Sequence, residues 1–476
     1  MVWPFRAKCP LDADDKVRVE RHLAGLAVEF GVDRLLIGDD VFTACTRVFP
    51  DGAVGSDTEA TLSAICAQMG FDEKRFALTS EPPAESETPV AHGGWEVDGD
   101  GRYVIRTRDL QTGGAELQVA VLARIVGCAL LIERGSFDPQ NSDDLQQAEL
   151  AATAMGFGPM IANMTVATVD VGFSEGWPRW MVRYGHLPSH VTGYALAVLC
   201  WLGGANEASS RPSLRSDAAN AYRRGMRYLQ QTNDCLIQRE QWGRSIENRS
   251  LSVLECELSS EYEGRRLAAI RELAEHRDIE ARTVEAVVAM LRDKNAIIRA
   301  NAAITLGRWG ADARSALPEL IRSIGSERDG NASVKEASAA GLIGAAAVVS
   351  SSEREELWHA LVELKERAAS RSVRDAALDA LTRLDVDARL VRSELAKSIR
   401  DAIADADDHR LRMLLACVQR IESDVDRFLN ENFSDRDPEL VASAQRVLRE
   451  TPRRKGTYSG FPDSTRGSVI TDSRWL

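Results

Sequence analysis

From Gly264 onward the chain repeats itself: the pairs Ile298-Arg299, Val334-Lys335, Val373-Arg374 and Leu411-Arg412 recur at intervals of 36, 39 and 38 residues. A period of this length constrains the fold more than any other feature, because such a unit is a helical hairpin that buries its apolar face only against the next one. Each unit reads as a helix, a short polar turn, the apolar-basic pair, and a second helix rich in Ala and Leu. Small residues at Ala302, Ala303, Ala339, Ala340, Ala376 and Ala377 allow close stacking, and Leu306, Leu342 and Leu381 fill the layers between hairpins. The first helices carry Val287, Val288 and Leu291, then Leu317, Leu320 and Ile321, then Leu357, Leu361 and Leu364. Partial units at Arg265 to Leu273 and Val425 to Leu448 read as caps, since end repeats face water. The expectation is an α-helical solenoid over residues 251–451.

This pattern, with Asp293 at an inter-helix turn and Pro318 inside a first helix, resembles the HEAT-repeat family. The resemblance implies a non-catalytic scaffold that presents a concave surface to a protein partner. Residues 251–450 carry 30 basic and 37 acidic side chains, which argues against the basic concave face that some such proteins close on DNA. The turn residues Arg299, Lys335, Arg374 and Arg412 are the candidate partner-binding ridge. Residues of this kind more often pair with carboxylates of neighbouring repeats and hold the stack together.

The whole chain of 476 residues carries a formal charge of −13, so it has no global attraction for phosphate backbones or anionic membranes. Eight cysteines stand singly, with no paired spacing for a zinc knuckle or a disulfide framework, which points to reduced thiols and a cytoplasmic protein. No secretory signal is visible near Met1, and the longest apolar run noted, Ala195 to Leu202, is too short to span a bilayer.

The first half reads as a mostly helical α+β domain over residues 1–205, followed by a linker and connecting helix over 206–250. Asp12 to Asp15 can cap a helix that buries Val19, Leu23, Leu26, Ala27 and Phe30 and stops at Gly31. A second helix is predicted from Asp57 to Gly70. Residues 80–94, rich in Pro, Glu, Ser and Gly, read as a flexible loop. Trp95 to Val97 and Tyr103 to Ile105 flank Asp98-Gly99-Asp100-Gly101 and predict a hairpin. Helices are then expected from Ala115 to Ile132, from Asp143 past Met155, and from Pro188 to Leu202.

Several stretches of this half are similar to a family of uncharacterised bacterial proteins with a zincin-like metallopeptidase domain. They are Lys8 to Leu11, Val121 to Gly135, Ala154 to Asn163, Gly176 to Trp180, Gly193 to Trp201 and Arg224 to Cys235. In that family the long helix carries HExxH, two imidazoles one turn apart for zinc and a Glu to activate its water. The matching positions here are Arg124, Ile125 and Cys128, and the next helix offers only Glu149 as a remnant acidic ligand. A guanidinium cannot ligate zinc and an isoleucine cannot take a proton. The resemblance therefore implies a pseudoenzyme, with no catalytic residue, no metal and no cofactor.

His186 and His190 are four apart, but Pro188 between them puts His186 outside any helix that starts there. The glycine pairs lack a strand-loop-helix setting for phosphate, and no small-molecule substrate is expected. Trp177, Trp180 and Trp201 read as packing aromatics, and residues 452–476 as a disordered tail. The competing classes are a metal-dependent peptidase with non-standard ligands, a HEAT-type lyase, and, with least support, a nucleic-acid binder.

Overall fold

The computed structural model describes residues 7–49, 57–80, 95–107, 114–135, 137–138, 141–169, 180–183, 185–205, 214–326, 332–346, 350–368, 370–384, 388–405, 407–422, 424–433 and 438–450. Almost all of the loop expected at 80–94, the tail expected at 452–476, Trp177 and residues 206–213 of the expected linker lie outside these residues. The chain forms two compact units, residues 1–248 and 249–476.

Unit 1 is mostly helical and opens with α1 (Ala13–Phe30), where Asp12 Oδ1 accepts the Asp15 N–H at 2.9 Å and Gly31 ends the helix. The residues expected inside, Val19, Leu23, Leu26, Ala27 and Phe30, are buried. Helix α2 (Asp40–Val48) follows, then α3 (Thr58–Met69), capped by Asp57. Strands β1 (Phe76–Thr79), β2 (Trp95–Val97) and β3 (Tyr103–Arg106) form a sheet in the order β1-β3-β2. The predicted hairpin is the antiparallel β2–β3 pair, with Trp95 opposite Ile105, while β1 runs parallel to β3 with Phe76 opposite Tyr103.

Helices α4 (Gly114–Glu133) and α5 (Ser142–Ala152) then cross at very short range. A β-carbon at Gly127 would lie 2.5 Å from the Ala148 carbonyl oxygen, so only glycine lets the two backbones meet there. Helix α4 corrects the expectation about apolar runs. By length and composition it could cross a membrane, yet 83% of its apolar window is buried, which makes it a core helix here. The helix expected to run past Met155 breaks at a π turn, Thr153–Phe157, where Gly156 has φ 109°, and resumes as α6 (Gly158–Met164). A second hairpin, β4 (Val166–Val169) and β5 (Trp180–Arg183), precedes α7 (Ser189–Leu202). Helix α8 (Ser216–Thr232), from the stretch read as a connecting helix, packs along α7 within this unit.

Unit 2 contains six described hairpins. They are α9 (Leu251–Leu258) with α10 (Glu263–Leu273), α11 (Ala281–Met290) with α12 (Ala296–Trp309), and α13 (Leu317–Ile324) with α14 (Ala332–Ala345). The other three are α15 (Ser351–Arg367) with α16 (Arg371–Leu384), α17 (Ala388–Ala404) with α18 (Asp408–Ile421), and α19 (Val425–Phe433) with α20 (Pro438–Glu450). Each second helix stacks on the next, from α10 to α20, so the solenoid order follows from the repeat. Ala302, Ala303, Ala339, Ala376 and Ala377 are buried in this row with Leu306, Leu342 and Leu381. Helices α12 and α14 approach closely at two points, where a β-carbon on Gly341 would stand 2.3 Å from the Ala303 carbonyl oxygen and one on Gly344 2.2 Å from the Gly307 carbonyl oxygen.

Candidate functional site

In unit 1 three of the four positions singled out in the sequence come together between α4 and α5. An arginine inside an otherwise apolar helix must find an anionic partner, because burying a lone charge is prohibitive. Arg124 finds Glu149: its Nε lies 3.1 Å from Glu149 Oε1, with the side chains 8% and 1% exposed. Glu149 also accepts the backbone N–H of His186 at 2.6 Å and of Leu187 at 3.0 Å, so the carboxylate ties the chain entering α7 to α5. Gly185 makes room for the guanidinium, since a β-carbon there would lie 2.7 Å from Arg124 Nη2.

Cys128 sits one helical turn beyond Arg124 and is buried. Burial pushes its thiol up to about 12; the Glu149 carboxylate adds to the shift and Arg124 offsets part of it. A thiol so held stays protonated near neutral pH and is a poor nucleophile there. Ile125 is buried in the core of unit 1 and contributes packing. Among the described residues, no three His, Cys, Asp or Glu side chains converge in a group that could hold a metal ion. Pro188 directly precedes α7, so His186 lies outside the helix while His190, on its first turn, is exposed. The packing reading of Trp201 agrees with its burial, and the Arg239 guanidinium lies 4.2 Å from its ring centre.

In unit 2 the placement of the basic positions is set by helix phase. Arg266, Arg299, Lys335 and Arg374 are each the fourth residue of a second helix. From there the three arginines reach back across the turn: Arg266 Nη1 donates to Ser260 O at 2.7 Å, Arg299 Nη1 to Asp293 O at 2.6 Å, and Arg374 Nη1 to Ala368 O at 2.8 Å. Each satisfies a carbonyl left without an intrahelical partner near the end of the preceding helix or in the turn that follows. Lys335, buried, reaches instead into the next hairpin, donating to Ser372 Oγ at 3.0 Å. In α18 the fourth position is Leu411, so Arg412 is turned one residue further round the helix and is exposed.

Two bidentate pairs between hairpins went unrecognised in the sequence. Arg266 holds Asp293 through Nε at 2.7 Å and Nη2 at 3.1 Å. Arg410 holds Asp375 through Nε and through Nη2, the latter at 2.9 Å. The sequence shows only that Arg410 and Asp375 stand in adjacent repeats; which of Arg410 and Arg412 turns inward depends on where α18 starts.

A family model for HEAT repeats matches residues 252–343, the span of the first three hairpins. No curated protein matches the chain.

Proposed function

We propose that this protein is a non-catalytic protein-binding scaffold: a HEAT-type solenoid, joined to a zincin-like domain whose metal site has been replaced by an internal ion pair. The HEAT match over residues 252–343 carries the first part of the reading, because stacked repeats of this type commonly serve as protein-interaction modules. The Arg124–Glu149 pair carries the second. A guanidinium fixed against the carboxylate supplies the buried positive charge that a zinc ion would otherwise bring, and it does so with no open coordination position for substrate or water. Cytoplasmic location belongs to the same proposal and is supported by the singly placed free thiols. Of the four basic residues proposed for partner contact, Arg412 is the exposed one; Arg299, Lys335 and Arg374 serve the turns and the stack.

The test uses the full chain, expressed with zinc and washed with a mild chelator. Elemental analysis should find it metal-free and folded, and a photo-crosslinker at position 412 should give one discrete protein adduct that a crosslinker at exposed Asp40 does not. Near-stoichiometric zinc after the wash would sink the pseudoenzyme reading. Identical patterns from both positions would sink the scaffold reading.

A further inference from the structure

Away from the α4–α5 pair, another dense group of buried charge in unit 1 surrounds Lys16. Its ammonium, 3% exposed, lies 3.0 Å from Glu20 Oε1 and 3.4 Å from Asp234 Oδ2. The fully buried Glu20 accepts the Tyr194 hydroxyl at 2.7 Å and the Leu236 N–H at 2.9 Å, and Tyr228 donates its hydroxyl to Asp234. Helices α1, α7 and α8 and residues 233–237 therefore meet on one ammonium and two carboxylates. Beyond this point most residues are exposed as far as residue 248, apart from Trp242 and Ile246, which pack on the core, and Arg239 on the Trp201 ring; a short turn of 3₁₀ helix at Arg239–Gln241 is the one regular element before the chain runs into unit 2.

We propose that this ion cluster is a latch, holding residues 233–237 and the chain that follows them on α1, and that its opening frees this segment, with its own apolar contacts through Ile237, Trp242 and Ile246, while the part of the core built on α4 and α7 stays closed. Opening returns three charges to water, which recovers much of the hydration lost on burial. The freed segment gives up few backbone hydrogen bonds and the apolar contacts of a few side chains, whereas opening the rest of the core would expose the whole of α4 and α7 to water. The latch thus sets how much free chain precedes Arg249. Cys235, 2% exposed and directly beside Asp234, reports its state.

The test is thiol labelling of the full chain under native conditions, followed by peptide mapping, with the buried Cys66, Cys128 and Cys200 as reporters of the core. In Lys16→Met, two carboxylates lose their counter-charge, and Cys235 should label at least tenfold faster while the three core thiols keep their rates. Tyr194→Phe removes one hydrogen bond to Glu20, leaves the three charges in place, and should accelerate Cys235 by about tenfold with the same selectivity, which keeps the test decisive if Lys16→Met does not fold. Equal acceleration at all four thiols, or none at Cys235, would overturn the latch.

Discussion

Arg124 and Glu149 lie 3.1 Å apart in the interior of unit 1, one on each of two helices whose backbones touch at Gly127. The pair is isolated from water, so each charge depends on the other. Arg124→Met should leave the carboxylate buried with only two backbone N–H donors and lower stability by about 3–5 kcal/mol. Combining it with Glu149→Gln should cost less than the sum of the two single changes. Chemical denaturation followed by a probe in unit 1 measures both, and additive losses would show that the two groups do not interact.

The buried thiols give unit 1 a defined response to alkaline pH. Cys66, Cys128 and Cys200 are each pushed up to about 12, in every case chiefly by burial. A folded value above the unfolded one means that the folded state holds its protons longer. Stability is then intact below the unfolded thiol value of about 8.5 and falls as pH rises from there towards 12. Each thiol contributes a slope of about 1.4 kcal/mol per pH unit in that window. Denaturation midpoints should be nearly flat from pH 6 to 8 and decline above 9, and Cys128→Ala should make the decline shallower. An unchanged slope would mean that the Cys128 thiol reaches solvent.

The parts of the fold that were legible in the sequence are those with local causes. Asp12 with Gly31 and Asp57 with Gly70 mark α1 and α3 because cap chemistry acts within a few residues. The β2–β3 hairpin was legible from its turn. Strand β1 was not, because Phe76–Thr79 is four residues long and its partner β3 is parallel and reached only across the intervening chain. The break at Gly156 was equally hidden: its positive φ and its close approach to Ala44 and Leu36, where a β-carbon would lie 2.5 Å and 2.9 Å from their side chains, involve residues more than a hundred positions away. At the candidate site, Arg124, Cys128 and Glu149 could be nominated from a family pattern, but the ion pair that joins two of them is a fact of tertiary distance.

Gly341 tests the solenoid independently of any partner. Its missing side chain lets α14 approach α12 so closely that a β-carbon would stand 2.3 Å from Ala303 O, and a carbonyl inside a helix cannot step aside. Gly341→Ala should force the two hairpins apart and cost about 1–3 kcal/mol, although alanine is the better helix former. The same change at Gly99, where nothing lies within 4 Å of the added carbon, should have little effect. Urea melts of the two variants, read by a probe in each unit, decide it; a stabilised Gly341→Ala would mean that the stack is looser than its geometry.

Arg410 and Arg412 are two residues apart on α18 and should separate stacking from recognition. Arg410 is 7% exposed and grips Asp375 of the preceding hairpin with two donors, whereas Arg412 is exposed. Arg410→Ala leaves the Asp375 carboxylate buried without its cation and should destabilise unit 2 by about 3 kcal/mol or more. Arg412→Ala, on the surface, should change stability by no more than about 0.5 kcal/mol. For partner capture the order should reverse at temperatures where both variants are folded: Arg412→Ala weakens it and Arg410→Ala leaves it intact. Affinity measured for the crosslinked partner, beside a thermal melt of each variant, checks both halves. Loss of binding in Arg410→Ala alone would move the contact surface away from the exposed side of α18.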